Sequence, residues 1–342
     1  MVLSPGFRPW LDTLRIRGAG HSFAAGWGLV LVTACLLLCG CARQQSTVAS
    51  RSEKAERLSV EARQARERGD LKSAETLLTA AVERNPNDYE LRLELSELLL
   101  VHHKTQAASS HLQMLLQKNP EDPRVYVGLS EVQYLKRNLS EADALVADAL
   151  DLDPRQTRAL LLRAKIEQAR GNIDRALEDL YQILDVEGDH IEAKLLVARL
   201  HLQQGDSRLA ASEMRALIES PTLESESRGK AQWLLGRCYT HDERWPEAAT
   251  ALTAGISSRQ GSPRDWCLVA DVCRRAGDPS GAEQAIENAL RLSPSNSQAI
   301  AFRASLNDDA RMGHSSSSAV ARISHLDDED DPLDSSHRNP IR

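Results

Sequence analysis

Five alanines, Ala74, Ala108, Ala142, Ala176 and Ala210, stand 34 residues apart, and after four extra residues Ala248 and Ala282 resume the interval. Pro86, Pro120 and Pro154 keep the same spacing and close three similar phrases, VERNP, LQKNP and LDLDP. Gly69, Gly171, Gly205 and Gly277 each precede one of the alanines by five residues. A chain with this period makes one small unit repeatedly. Such a unit cannot bury an apolar face alone, so neighbours must stack into a shared core. Ala and Leu recur throughout, while aromatic residues make up only 4%. That composition suits helices better than strands.

The 34-residue phrase resembles the tetratricopeptide repeat (TPR) family, whose unit is a helix, a turn and a second helix. Seven units fit: 55–88, 89–122, 123–156, 157–190, 191–224, 229–262 and 263–296. The sixth carries Leu235-Gly236-Arg237-Cys238-Tyr239 at the family's L-G-x-x-Y positions. The seventh reads Trp266, Ala270, Gly277, Ala282, Ala289 and Pro294. The resemblance implies an all-α superhelical solenoid. At position 8, Ala62, Ala164, Ala198, Gly236 and Ala270 let helix A approach helix B of its own unit, and the position-20 alanines do the same from helix B. Leu78, Leu112, Leu180, Leu252 and Ile286 at position 24 fill the space between neighbours. A proline at position 32 cannot continue a helix and marks the break before the next unit.

Three departures stand out. Gly188 replaces the proline of the fourth unit. Pro221 arrives one place early in the fifth and is followed by the polar stretch TLESESR, where a bend or hinge is expected. Leu115, Ile183 and Leu217 occupy position 27, usually small, and should change the local packing. Beyond the seventh unit, residues 297–312 read as one more helix A, with Ala299, Phe302 and Leu306 on one face, capping the solenoid. Residues 313–342 change character, with HSSSS and the acidic run Asp327-Asp328-Glu329-Asp330-Asp331. Low hydrophobicity and mixed charge predict a disordered tail there.

The N-terminus predicts export. Arg8, Arg15 and Arg17 precede an uncharged run from Phe23 to Gly40, the order of a signal peptide. Leu38-Cys39-Gly40-Cys41 resembles the bacterial lipobox. That resemblance implies a signal peptide over 1–40, cleavage after Gly40, and a diacylglyceryl thioether on Cys41, with 41–54 as a tether. Cys39 departs from the usual Ala or Ser. An uncleaved transmembrane helix and an ordinary secreted signal are the other readings. Ala42 stands where an Asp would hold a lipoprotein at the inner membrane, so the expected place is the outer membrane, facing the periplasm.

Several functions are excluded on chemical grounds. The formal net charge is −7, and phosphate binding needs clustered Lys and Arg, so nucleic acid is a poor partner. There is no G-x-S-x-G, phosphate loop or H-E-x-x-H. His102, His103 and His111 do not fall on one helix face as ligands, and no stretch remains for a catalytic domain. No enzyme activity, metal or cofactor is expected. Cys238 and Cys273 fall at neighbouring repeat positions. A disulfide between them is one reading; two small buried apolar residues is the preferred one.

What remains is protein binding. By family resemblance, positions 2, 5, 6, 9, 12 and 13 of helix A line the concave face. The second unit places Glu90, Leu93, Glu94 and Glu97 there, and the third Glu131. From the fourth unit the sign changes: Arg158, Lys165, Arg199, Lys230, Arg237, Arg264, Arg274 and Arg275, with Leu161, Leu195, Trp233 and Leu268 between them. The functional expectation is a groove that takes a peptide or helix of a partner, an apolar anchor beside Trp233 and an acidic part near the arginines. The alternative is ordinary solvated charge. Ser59 and Arg63 replace the Lys and Asn of the chaperone carboxylate clamp, which argues against capture of heat-shock chaperone tails. Envelope-assembly or secretion components are the expected partner class.

Overall fold

The computed structural model describes residues 51–258 and 261–312, the last six of these by backbone alone. The expected signal segment 1–40, the lipid acceptor Cys41 and the tail 313–342 lie outside the described residues, as does the tether up to residue 50. From residue 51 onward the chain is already helical, four residues ahead of the expected first unit.

Every regular element among the described residues is an α-helix. The first, α1, covers 51–67. Then come α2 (Leu71–Arg84), α3 (Tyr89–Val101), α4 (Thr105–Lys118), α5 (Pro123–Leu135), α6 (Leu139–Leu152), α7 (Thr157–Ala169) and α8 (Ile173–Val186). The series continues with α9 (Ile191–Gln204), α10 (Ser207–Ile218), α11 (Ser225–His241), α12 (Trp245–Ser257), α13 (Pro263–Arg275), α14 (Pro279–Leu292) and α15 (Ser297–Met312). Helices α3, α5, α7, α9 and α13 start at position 1 of a 34-residue unit, and α2, α4, α6, α8, α10, α12 and α14 start at position 17. Odd-numbered helices are therefore the A helices and even-numbered ones the B helices.

The chain divides into two compact units, Met1–Leu95 and Ser96–Arg342. Within the first, Ala62, Ala74, Leu78 and Ala81 are buried. There the Arg63 guanidinium on α1 grips Glu94 of α3 with hydrogen bonds of 2.6 and 3.1 Å. Within the second, the core includes a cluster across α5–α9, one across α9–α11 with Leu223, and one across α11–α15.

Small residues make the A–B approach possible. Ser130, at position 8 of the third unit, is fully buried and donates its hydroxyl to the Ala142 carbonyl, at position 20, over 2.7 Å. A Cβ on Gly236 would come within 2.6 Å of Leu252. The turn between the helices explains the recurrent glycines. Position 15 is left-handed in all seven units, held by Gly69, Gly171, Gly205 and Gly277 and, at the equivalent places, by His103, Arg137 and Glu243. Only glycine takes that conformation without steric cost.

The TLESESR stretch is not a free loop. Its second half forms the first turn of α11, which runs 17 residues. Arg228 donates to the Ile218 carbonyl and, at 2.9 Å, to the Ser220 carbonyl, meeting acceptors that the end of α10 leaves open. Leu223 is 7% exposed and joins the core. The expected hinge is thus pinned at both ends. At the C-terminal end, Asn296 caps α15 by accepting from the Ala299 amide at 2.9 Å. Ala299 and Phe302 are buried, with Leu306 packed beside them. Cys238, Cys267 and Cys273 are free and buried. Burial pushes the Cys238 thiol up to about 12 and the Cys267 thiol to about 11, so neither supplies a thiolate at neutral pH.

Candidate functional site

The A-helix face carries a ladder of alternating charge. Arg158 of α7 pairs with Glu97 of α3, and with Glu131 of α5 at 3.6 Å. Two turns further along α7, Lys165 pairs with Glu192 of α9 at 2.8 Å. Burial pushes the Glu131 carboxyl above its usual value, against the pull of Arg158 and Lys165. Burial would also raise Glu192, but Lys165, His190 and Lys230 together hold it below the usual range. Lys230 of α11 pairs with Glu226 one turn before it, at 2.7 Å.

Beyond the ladder, α9, α11 and α13 enclose a pocket of about 260 Å³. Arg199, Leu202 and Gln203 enter it from α9, Arg237, Thr240 and His241 from α11, and Leu268 from α13. These are positions 9, 12 and 13 of the fifth and sixth units and position 6 of the seventh. Two arginines therefore share the lining with two leucines, and the lining includes no carboxylate. Such a site suits a ligand with a carboxylate beside an aliphatic group, because Arg binds carboxylates in a planar, bidentate way.

The expected groove residues separate into four groups. Arg199 and Arg237 meet in the pocket. Arg158, Lys165 and Lys230 belong to ion pairs on the same face. Arg274 sits at the end of α13, pairing with Asp271 at 3.0 Å and lying 5.9 Å over the Phe302 ring, while Arg264 is half-buried in the first turn of α13. Leu195 is buried in the core shared by α9, α10 and α11. The expectation of an anchor beside Trp233 is corrected here: Trp233 is 1% exposed and packs inside the α11–α15 cluster. The reason lies on α12. Gly255 presents no side chain, and a Cβ there would stand 2.6 Å from the Trp233 backbone nitrogen. Helix α12 packs directly against the α11 backbone at that point.

Sequence reasoning also missed some of the site. Leu202, Gln203, Thr240 and His241 all fall at positions 12 and 13, which the family pattern already assigns to this face. Glu192, at position 2 of the fifth unit, is a carboxylate inside the stretch read as basic. A second cluster lay outside any motif. The Tyr181 hydroxyl of α8 and His201 Nε2 of α9 are 3.0 Å apart, and Glu213 of α10 approaches the same nitrogen at 3.7 Å. His201 occupies the position held by Tyr239 in the next unit, which was the available signal.

Among the described residues, no group of three or more His, Cys, Asp or Glu is placed to hold a metal ion. No helix of those residues is long and apolar enough to cross a membrane.

The model of the tetratricopeptide repeat protein 21 ARM repeat matches residues 52–214, and a second tetratricopeptide repeat model matches residues 195–263. No curated protein matches the chain significantly. Among solved structures, the chain is similar to a tetratricopeptide repeat protein from Parabacteroides merdae, at 17% identity and TM-score 0.52, over 75% of this chain and 99% of that one. It is similar to PilF of Pseudomonas aeruginosa at 15% identity and TM-score 0.54, over 64% and 97%. It is likewise similar to PilW, a type IV pilus biogenesis factor, at 15% identity and TM-score 0.55, over 63% and 98%. At these identities the likeness concerns the fold.

Proposed function

We propose, from the premise that this chain belongs to the tetratricopeptide-repeat family, that it is a protein–protein interaction scaffold whose binding site is the pocket of α9, α11 and α13. The carrying observation is that Arg199 and Arg237 line one pocket with Leu202 and Leu268. The ligand is a partner segment with acidic side chains next to an aliphatic one. The ladder of α3, α5, α7 and α9 is paired within the protein, so it orders the face and adds little to affinity. The proposal extends to place. Cys41 carries a lipid anchor at a bacterial envelope membrane, facing the periplasm from the outer membrane, and the partners are envelope-assembly or secretion components. With helix from residue 51, the nine residues after Cys41 reach at most about 32 Å at 3.3–3.6 Å each. The groove then works close to the membrane surface.

The test uses the full chain and chemical crosslinking. Arg199→Glu with Arg237→Glu reverses both charges at the pocket and is expected to abolish recovery of the crosslinked partner while helicity is unchanged. Arg208→Glu with Arg215→Glu makes the same charge change on α10 and should leave recovery intact. Equal recovery from both double variants refutes the groove. Cys41→Ser should abolish labelling with radioactive palmitate and Cys39→Ser should not; labelling that survives Cys41→Ser refutes the anchor.

A further inference from the structure

We propose that the pocket of α9, α11 and α13 is occupied, in the absence of a partner, by the acidic segment 323–331 of the same chain. The inference rests on the groove reading above and adds its regulation. Two chemistries match at once. The segment Ile323-Ser324-His325-Leu326-Asp327-Asp328-Glu329-Asp330-Asp331 puts aliphatic side chains directly beside five carboxylates. The pocket puts Arg199 and Arg237 beside Leu202 and Leu268.

Chain length permits the contact. Helix α15 ends at Met312, and Leu326 follows fourteen residues later, a reach of up to roughly 46–50 Å. Successive A helices of this unit lie side by side: α13 contacts α15, and α9 contacts α11. At 8–10 Å per packed pair, the pocket lies two or three steps from α15, roughly 20–30 Å. The segment reaches it with length to spare.

A tethered ligand acts at an effective concentration of about 1 mM when its linker spans the distance. If the free segment binds with a Kd of about 0.1 mM, the tether weakens any competing ligand about tenfold. The scaffold is then partly closed until a partner with better contacts displaces its own tail.

The experiment uses full-length protein and a fluorescent synthetic peptide of residues 321–333 as the probe. A variant with Asp327, Asp328, Asp330 and Asp331 changed to Asn and Glu329 to Gln should bind the peptide about tenfold more tightly than the natural chain. Adding Arg199→Glu and Arg237→Glu to that variant should remove binding. A photocrosslinking amino acid at position 326 should label α9, α11 or α13 with a yield independent of protein concentration. Equal affinity for natural and neutralised chains overturns the proposal, as does peptide binding that survives the double arginine change. A yield that rises with concentration overturns it too, since the tail then reaches a second copy. If partner recovery depends on Arg199 and Arg237 while the peptide does not bind, the groove reading stands and the tail inference alone falls.

Discussion

At the scale of single residues, Glu213 is the most consequential group outside the pocket. Burial pushes its carboxyl up to about 7, and its Oε2 is buried with no hydrogen-bond partner. The neighbouring His201 is shifted the other way, downward, again chiefly by burial. Both shifts favour the neutral forms, so the 3.7 Å approach of the two groups is not an ion pair near pH 7. The sign for stability follows. Between the ordinary glutamate value of about 4.3 and 7, the folded chain holds a proton on Glu213 that the unfolded chain has released. Stability therefore falls as pH rises through that window. His201 opposes it, since its folded value lies below the unfolded value of about 6.5, and stability falls as pH drops through that region. Glu213→Gln removes only the first effect. It should match the natural chain at pH 5 and exceed it at pH 8 by about 1 kcal/mol, a figure reduced for solvent reaching this half-buried side chain. Urea midpoints measured at both pH values check this; an advantage at pH 5 equal to that at pH 8 refutes the assignment.

At the scale of elements, the α11–α12 pair shows what the sequence did and did not disclose. Helix starts were legible because they follow the period: small residues at positions 8 and 20 must face each other, and position 15 must turn. The burial of Trp233 was not legible from its own position, which in the family faces the groove. It accompanies the packing of Trp233 into the α11–α15 cluster, where α12 meets the α11 backbone at two glycines of the same unit, Gly229 and Gly255. A Cβ on Gly255 would stand 2.6 and 2.8 Å from the backbone N and Cα of Trp233 and 2.9 Å from the Gly229 carbonyl. Backbone cannot move aside as a side chain can. Gly255→Ala should therefore push α12 off α11 and cost about 2–3 kcal/mol, in the range for overpacked cores. Gly188→Ala is the matched control, because its only neighbour within 4 Å is the Leu184 carbonyl at 3.7 Å. That change should be neutral or stabilising by up to about 1 kcal/mol. Thermal melts of the two variants decide the matter, and a neutral Gly255→Ala would show that the helices have room there.

At the scale of the whole molecule, the sequence made the repeat plain but not the partition of charge across it. Counting cations from the fourth unit onward suggested one continuous basic surface. The structure interleaves it with carboxylates, because Arg158 and Lys165 reach Glu97, Glu131 and Glu192 on helices two or four away in the sequence, contacts that a repeat-by-repeat reading cannot see. Stability should be divided along the chain. Residues 96–312 hold core clusters in series, and the α5–α9 cluster shares no residue with the α11–α15 cluster. In a solenoid each unit is held mainly by its neighbours, so damage at one end stays near that end. Phe302 is the side chain on which the C-terminal end closes: it is 4% exposed and packs into the α11–α15 cluster. Phe302→Ala should cost about 3 kcal/mol, as for other buried aromatic truncations. Hydrogen exchange should show the loss as faster exchange in α13, α14 and α15, while amides of α6, α7 and α8 keep their protection. An even acceleration across all six helices would mean that the stacked units unfold as a single cooperative body and that their cores are energetically continuous.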